Sequence, residues 1–268
     1  PGTAFSEYVS TVLPELGEEN IRARTLYEMV CEIVERRTES PVHQAEELLR
    51  NGDPLRIQSM EWKTGGLFAR ELKRFCDAFT QNGPEFGDVL LDGKVYISAK
   101  ELREMYARES RVFSACQRLE HMSARLDTRM ESLGERLYKQ YERAYEGKYS
   151  GRELKNVCRM AVSQQLQPIR LRLRSMLEVS GEKLLADAMK DAPKALRDAY
   201  DENNRANLTW WEDAVAEAYL RVRLGFVKPD RTVSHLLVDE AQDYSETALM
   251  LLSEYLPNAS VTLLGDPM

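Results

Sequence analysis

The chain has 268 residues, of which 43% are hydrophobic and 30% charged, a composition that supports a packed core and excludes disorder as the main state. No run approaches the ~18 consecutive apolar residues of a membrane span, and Pro1-Gly2-Thr3 opens neither a basic nor an apolar signal region, so a soluble, cytoplasmic chain is expected. The net charge of −7 argues against a protein that coats nucleic acid everywhere, yet it is compatible with a local basic stripe. Four dispersed cysteines (Cys31, Cys76, Cys116, Cys158) and three dispersed histidines (His43, His121, His235) make a disulfide framework or a structural zinc site a poor fit.

Most of the chain reads as helix, because apolar residues recur at steps of three and four. Phe5, Tyr8, Val9, Val12 and Leu13 form a first stripe, stopped by Pro14. Leu26, Met29, Val30, Ile33 and Val34 form a second, and Leu67 to Phe79 a third, ended by Asn82-Gly83-Pro84. Asp92-Gly93 then sits between the β-rich arms Val89–Leu91 and Val95–Ile97, the pattern of a tight hairpin. Ser98-x-x-Glu101 predicts a capping box at the start of the next helix.

From Cys116 the apolar or small positions run Leu119, Met122, Leu126, Met130, Leu133, Leu137, Tyr141 and Ala144, a coiled-coil seam of roughly four heptads. Gly147 to Gly151 interrupt it, a second helical tract follows from Leu154, and Pro168 predicts a fresh helix start running to about Met189. Two antiparallel arms joined by a short loop are the simplest packing. Residues 99–176 hold 17 Lys+Arg against 10 Asp+Glu, whereas 1–98 hold 11 against 17 and 177–268 hold 9 against 17. Arg170, Arg172 and Arg174, together with Tyr145 and Tyr149 near the tip, are therefore candidates for contact with phosphates and bases or with a protein partner. The alternative is a solvated helix surface whose tyrosines close a coiled-coil end.

Thr209-x-x-Glu212 predicts a second capping box, opening a helix that Gly225 closes. Val233–Val238 then reads as a strand buried on both faces, delivering Asp239-Glu240-Ala241-Gln242-Asp243 at its end. After a helix with Leu249, Leu252 and Leu256, a second strand, Val261–Leu264, ends in Gly265-Asp266-Pro267. Acidic residues at the ends of neighbouring parallel strands are where an open α/β sheet places its ligand. Around a magnesium nucleotide, Asp239 would hold the ion, Glu240 would orient and deprotonate the attacking water, and Gln242 would report on the γ-phosphate. Asp243 and Asp266 complete the candidate nucleotide site. The competing reading is that these side chains only cap the helix starting near Ser245.

Leu236-Leu-Val-Asp-Glu-Ala-Gln-Asp-Tyr244 with Leu263-Leu-Gly-Asp-Pro267 resembles motif II and the start of motif III of superfamily 1 helicases of the UvrD/Rep/PcrA type. Pro1 to Gly17 is similar to the motif Ia region of the HelD-like, RNA-polymerase-associated ATPases, and Asp213 to Phe226 has the look of that group. In the body of the chain the resemblance rests on Ile21-Arg22, Gln44–Leu49 and Asp92–Leu102. The resemblance implies a piece of RecA-like domain 1A, from motif Ia to the start of motif III: residues 1–19 on the motif Ia side, a helical insertion over 20–208, and 209–268 from Walker B to motif III. The expected fold class is mainly α with a small α/β remnant, a partly coiled-coil insertion with one hairpin attached to part of a parallel sheet. Mg2+ and ATP are the cofactors it implies for a full-length parent, with none bound by this stretch alone, since no GxxxxGK[ST] occurs. Core RNA polymerase is the implied partner, met through the insertion, in a monomer whose heptads leave self-association open. The alternative is a conventional 3′–5′ DNA helicase whose insertion binds DNA or braces the core.

Overall fold

A computed structural model describes residues 22–266, so the stripe Phe5–Leu13 and the motif Ia resemblance lie outside the described residues. In chain order the elements are α1 (Leu26–Val34), α2 (Pro41–Asn51), α3 (Pro54–Thr64), α4 (Gly66–Asn82), β1 (Val89–Leu91), β2 (Lys94–Ile97) and α5 (Ala99–Arg108). They continue with α6 (Ala115–Tyr145), α7 (Gly151–Leu177), α8 (Gly181–Ala188), α9 (Lys194–Arg205), α10 (Trp211–Arg223), β3 (His235–Val238), α11 (Glu246–Tyr255) and β4 (Ser260–Leu263). The chain is mainly helical, with one antiparallel and one parallel two-stranded sheet among the described residues.

The described chain divides into two compact units. The first takes residues up to Glu71, Leu185–Val222 and those from Pro229 onward; the second takes Leu72–Leu184 and Arg223–Lys228. The chain passes between them inside α4, inside α8, inside α10 and at Lys228–Pro229.

In the first unit, α1 starts where Thr25 and Glu28 close a capping box and buries Met29, Val30, Ile33 and Val34, as its stripe predicts. Helix α2 begins at Ser40 with Pro41 in its first turn and stops at Gly52, whose φ of 54° needs no Cβ. Helix α10 departs from expectation. Thr209 and Glu212 form no box: Thr209 bridges to Thr38, the first N–H of α10, from Trp211, is taken by Glu39 Oε2 at 3.2 Å, and the Glu212 carboxylate turns into the interior. Alanines at 214, 216 and 218 let neighbours approach on every side, so α10 is buried almost all round instead of along one stripe.

In the second unit, the β1–β2 hairpin turns through Asp92 (φ 52°) and Gly93 (φ 75°), the pair of positive φ values that a two-residue hairpin turn needs. Ser98 Oγ accepts the Glu101 N–H at 3.1 Å, but the Glu101 carboxylate pairs with Arg129 of α6 instead of closing its box. Helix α6, 31 residues long, starts in a box formed by Ser114 and Gln117 and buries Leu119, Met122, Leu126, Met130, Leu133 and Leu137, the middle of the expected seam, while Cys116 and Tyr141 are half-exposed and Ala144 is exposed. Helix α7 folds back on it through residues 146–150. It runs unbroken through Pro168, contrary to the fresh start expected there. Position 168 is exposed, so the ring meets solvent and the cost is confined to the Gln164 carbonyl, which loses its helical donor. Arg118 is buried with no carboxylate partner among the described residues; it donates to the Thr80 carbonyl near the C-terminus of α4 and, at 2.8 Å, to the Tyr106 carbonyl, with its guanidinium 3.9 Å from the Tyr106 ring.

Candidate functional site

The paired carboxylates stand where β3 ends. Strands β3 and β4 run parallel with Leu236 opposite Val261 and Val238 opposite Leu263. The ladder continues past both strands: Leu264 N–H donates to Val238 O at 2.8 Å, and Ala241 N–H donates to Leu264 O at 2.8 Å. Asp239-Glu240 and Gly265-Asp266 therefore leave the sheet side by side. A Cβ on Gly265 would strike the Gln242 side chain and lie 3.4 Å from the Ala241 nitrogen, so the absence of one lets the two turns close up.

Glu240 occupies the left-handed region at φ 49°, a costly conformation for a side-chain-bearing residue. Its N–H donates to Asp239 Oδ1 at 3.0 Å, and Gln242 Nε2 donates to Glu240 Oε2 at 2.6 Å. One oxygen of each carboxylate is thus fixed while the other is unengaged among the described residues, and Asp239, Glu240, Gln242, Asp243 and Asp266 are all exposed. Half-buried Tyr244 lies against this turn; burial raises its phenol above the ordinary range, and the charges of Asp239 and Asp243 add to the rise. The cap of α11 is Ser245, which accepts the Ala248 N–H at 3.2 Å, so the carboxylates are not needed for that task.

Strand β3 is not buried on both faces. Only Val238 is buried, while Leu237 is 58% exposed and Val261 and Leu263 of β4 are each 52% exposed. The physical reason is that, among the described residues, the sheet has only these two strands, too few neighbours to cover an apolar strand twice.

No group of three or more His, Cys, Asp or Glu side chains converges as a metal cage among the described residues. Magnesium carried in with a nucleotide requires no such cage, since one or two carboxylates with phosphates and water complete its shell. Asp239, held through Oδ1 with Oδ2 unengaged, fits that role.

The second candidate site separates what its sequence grouped. Tyr145 and Tyr149 do meet, edge to face at 6.0 Å, and Tyr141 stacks on Tyr145 at 5.7 Å. Arg170 lies 19 residues along α7 from Gly151, which at ~1.5 Å per residue is about 28 Å from the tip. Nor do the three arginines share a face: Arg170 and Arg174, four positions apart, lie on one side of the helix and Arg172 on the other. Arg174 is held by Glu178, Nε at 2.6 Å from both oxygens, and the Arg172 guanidinium lies against Gly87. Arg170 instead lines an open groove of about 610 Å³ with Gly134, Tyr138, Lys139, Arg159 and Leu166. Lys139 and Arg159, which sequence reasoning passed over, join Arg170 there, and Glu135 lines the same groove.

A third cluster, in the first unit, escaped the sequence altogether. Buried Arg56 lies between Glu39, at 2.6 Å, and Glu212, while Gln44 donates to Glu212 at 2.8 Å. The Arg56 guanidinium stands 4.2 Å from the Trp210 ring. Arg36 pairs with Glu217, and Lys63 with Asp213 at 2.6 Å. The hydrogen-bond angles of the last pair are poor, and burial raises the Asp213 carboxyl despite the opposing pull of Lys63. The signal was the alanine-rich, mostly apolar run Ala214–Leu220, which makes a charge within or beside it, such as Glu217, a buried one.

Comparison with protein-family models finds no match, and none is found among curated proteins.

Proposed function

We propose that the chain belongs to a HelD-like superfamily 1 ATPase that couples ATP hydrolysis to remodelling of bacterial RNA polymerase, with the helical hairpin α6–α7 as the polymerase-channel element. The observation that carries this reading is the parallel pair β3–β4, which sets Asp239 and Glu240 beside Asp266 at one end of the sheet. Bound Mg-ATP supplies the scissile phosphate and the charge that neutralises it. Asp239 would hold the ion through its unengaged oxygen, and Glu240, oriented by Gln242, would take the proton of the attacking water.

The basic balance of residues 99–176 supports the partner half of the proposal. A basic arm gains long-range, salt-sensitive attraction to a channel built for phosphates, and it competes there with nucleic acid. The test is binding of this chain to core RNA polymerase and, in parallel, to a fluorescent single strand, at ~50 and ~200 mM salt, a range over which phosphate-driven binding changes by orders of magnitude. Saturable polymerase binding that weakens when DNA fills the main channel is the expected result. Binding to the single strand alone, with a steep salt slope, would replace the proposal by a conventional helicase, the reading that the groove holding Lys139, Arg159 and Arg170 favours.

A further inference from the structure

The α6–α7 hairpin loses its reinforcement at one level. On the base side, Met122, Leu126, Met130 and Leu133 of α6 and Ile169, Leu173 and Met176 of α7 are buried. Arg129 is tied to Glu101 and stands 4.9 Å from the Tyr96 ring. The last brace is at the β1–β2 turn, where Gln165 Nε2 donates to both oxygens of Asp92 at 2.8 and 2.9 Å. Beyond Leu133 and Leu166, towards the tip, the only buried residues are Leu137 and Cys158, and Tyr141, Tyr145, Leu154, Val157, Ala161 and Val162 are half-exposed.

The two residues least suited to a helix interior sit at this level, one in each helix. Gly134 of α6 faces α7 where a Cβ would come within 3.2 Å of Leu166 Cδ1. Pro168 of α7 lies two residues beyond Leu166, about 3 Å along the axis, and leaves the Gln164 carbonyl without a helical donor. Glycine frees the backbone on one side of the seam and proline removes a rung on the other, at a level where Leu166 packs closely on Gly134 and beyond which burial thins out. From these coincident features we infer that residues 135–163 swing as a body about a pivot formed by Gly134 and the Gln164–Pro168 turn, which Asp92 holds at Gln165. Residues 135–163 carry seven Lys+Arg against four Asp+Glu, so the swing redirects a basic surface whatever that surface meets.

The test is the width of a distance distribution measured by pulsed electron resonance in the full chain. Spin labels are placed on ketone-bearing residues, which leaves the four native cysteines in place. One pair joins Lys148 at the tip to Ala107 on α5, and a control pair, Ala107 and Asp127, lies wholly below the pivot. The tip pair is expected to give a distribution at least twice as wide as the control. Pro168→Ala, at an exposed position, restores the missing rung and narrows the tip distribution towards the control width. Gly134→Ala does the same once Leu166 yields by a few tenths of an ångström. Narrowing in either variant supports the pivot. A wild-type tip pair as narrow as the control, or a width unchanged in both variants, would overturn it.

Discussion

Lys63 Nζ and Asp213 Oδ1 stand 2.6 Å apart with their side chains 0% and 1% exposed, a lysine and an aspartate that meet no water. Nearby, the Lys63 ammonium lies 5.4 Å from the Trp210 ring and 5.8 Å from that of Tyr200. Removing one partner strands the other charge in the interior, so Lys63→Met is expected to cost about 3–5 kcal/mol in urea unfolding. The double variant Lys63→Met/Asp213→Leu should recover most of that loss, because a buried pair replaced by apolar groups is close to neutral. A double variant as unstable as the sum of the singles would mean that the two side chains act independently and not as a pair.

The same carboxyl sets a pH dependence. Burial raises Asp213 above the usual carboxylate range, with the attraction of Lys63 too weak to reverse it. The native state then holds this proton more tightly than the unfolded chain, so stability contributed by Asp213 is present at low pH and lost as pH rises from ~4 through the raised value. Surface Glu28 and Asp230 are lowered by their threonine hydrogen bonds and act in the opposite sense, losing their contributions as pH falls through the lowered values. Asp213→Asn should flatten the decline above pH ~4 in a series of unfolding midpoints from pH 4 to 8. A profile parallel to that of the wild type would show that another group controls it.

Cys116 is pushed up to about 11 by burial and then by Glu120, whose Oε1 lies 3.6 Å from its sulfur. Only the thiolate alkylates, so at pH 7.5 this cysteine should react roughly three-hundredfold more slowly than an ordinary thiol of pKa ~8.5. Glu120→Gln removes the charge and is expected to speed the reaction. Mass spectrometry of time-quenched iodoacetamide digests reads both rates, and equal rates in wild type and variant would exclude the carboxylate as a cause.

For the carboxylate turn the expected outcome is inactivity. The sequence holds no GxxxxGK[ST], so Asp239 and Glu240 lack the backbone cradle and lysine that fix the outer phosphates. Phosphate release with Mg-ATP should stay at the buffer level in wild type and in Glu240→Gln alike. A robust wild-type rate abolished by Glu240→Gln would refute the view that this chain carries half of a nucleotide site.

The features legible in the sequence were those decided locally. The stripe of α1, the Asp92-Gly93 turn and the α6 seam each follow from neighbours within a few residues, and the short apolar runs at Leu236 and Val261 do pair in parallel. Glu212 was misread for the converse reason. A capping box is a four-residue pattern, whereas its real partners, Arg56 and Gln44, lie 156 and 168 positions away in the chain. Pro168 misled because a proline at an exposed helical position costs one hydrogen bond and not the helix, and Arg170, Arg172 and Arg174 because the middle one points to the opposite side of the helix and the last is held by Glu178. The order of Asp239, Glu240 and Gln242 was readable, but the left-handed backbone of Glu240 was not, since it depends on Leu264 accepting the Ala241 N–H across the strand pair.

Three of the four passages between the compact units run inside α4, α8 and α10, with the breaks at Glu71/Leu72, Leu184/Leu185 and Val222/Arg223. The fourth is Lys228–Pro229, a peptide bond that trypsin leaves intact. Neither unit can be excised by cutting a linker, and a gene fragment designed to express one alone would begin or end in the middle of a helical turn. Dissection of the protein therefore has to proceed by substitution, with both units kept on the chain.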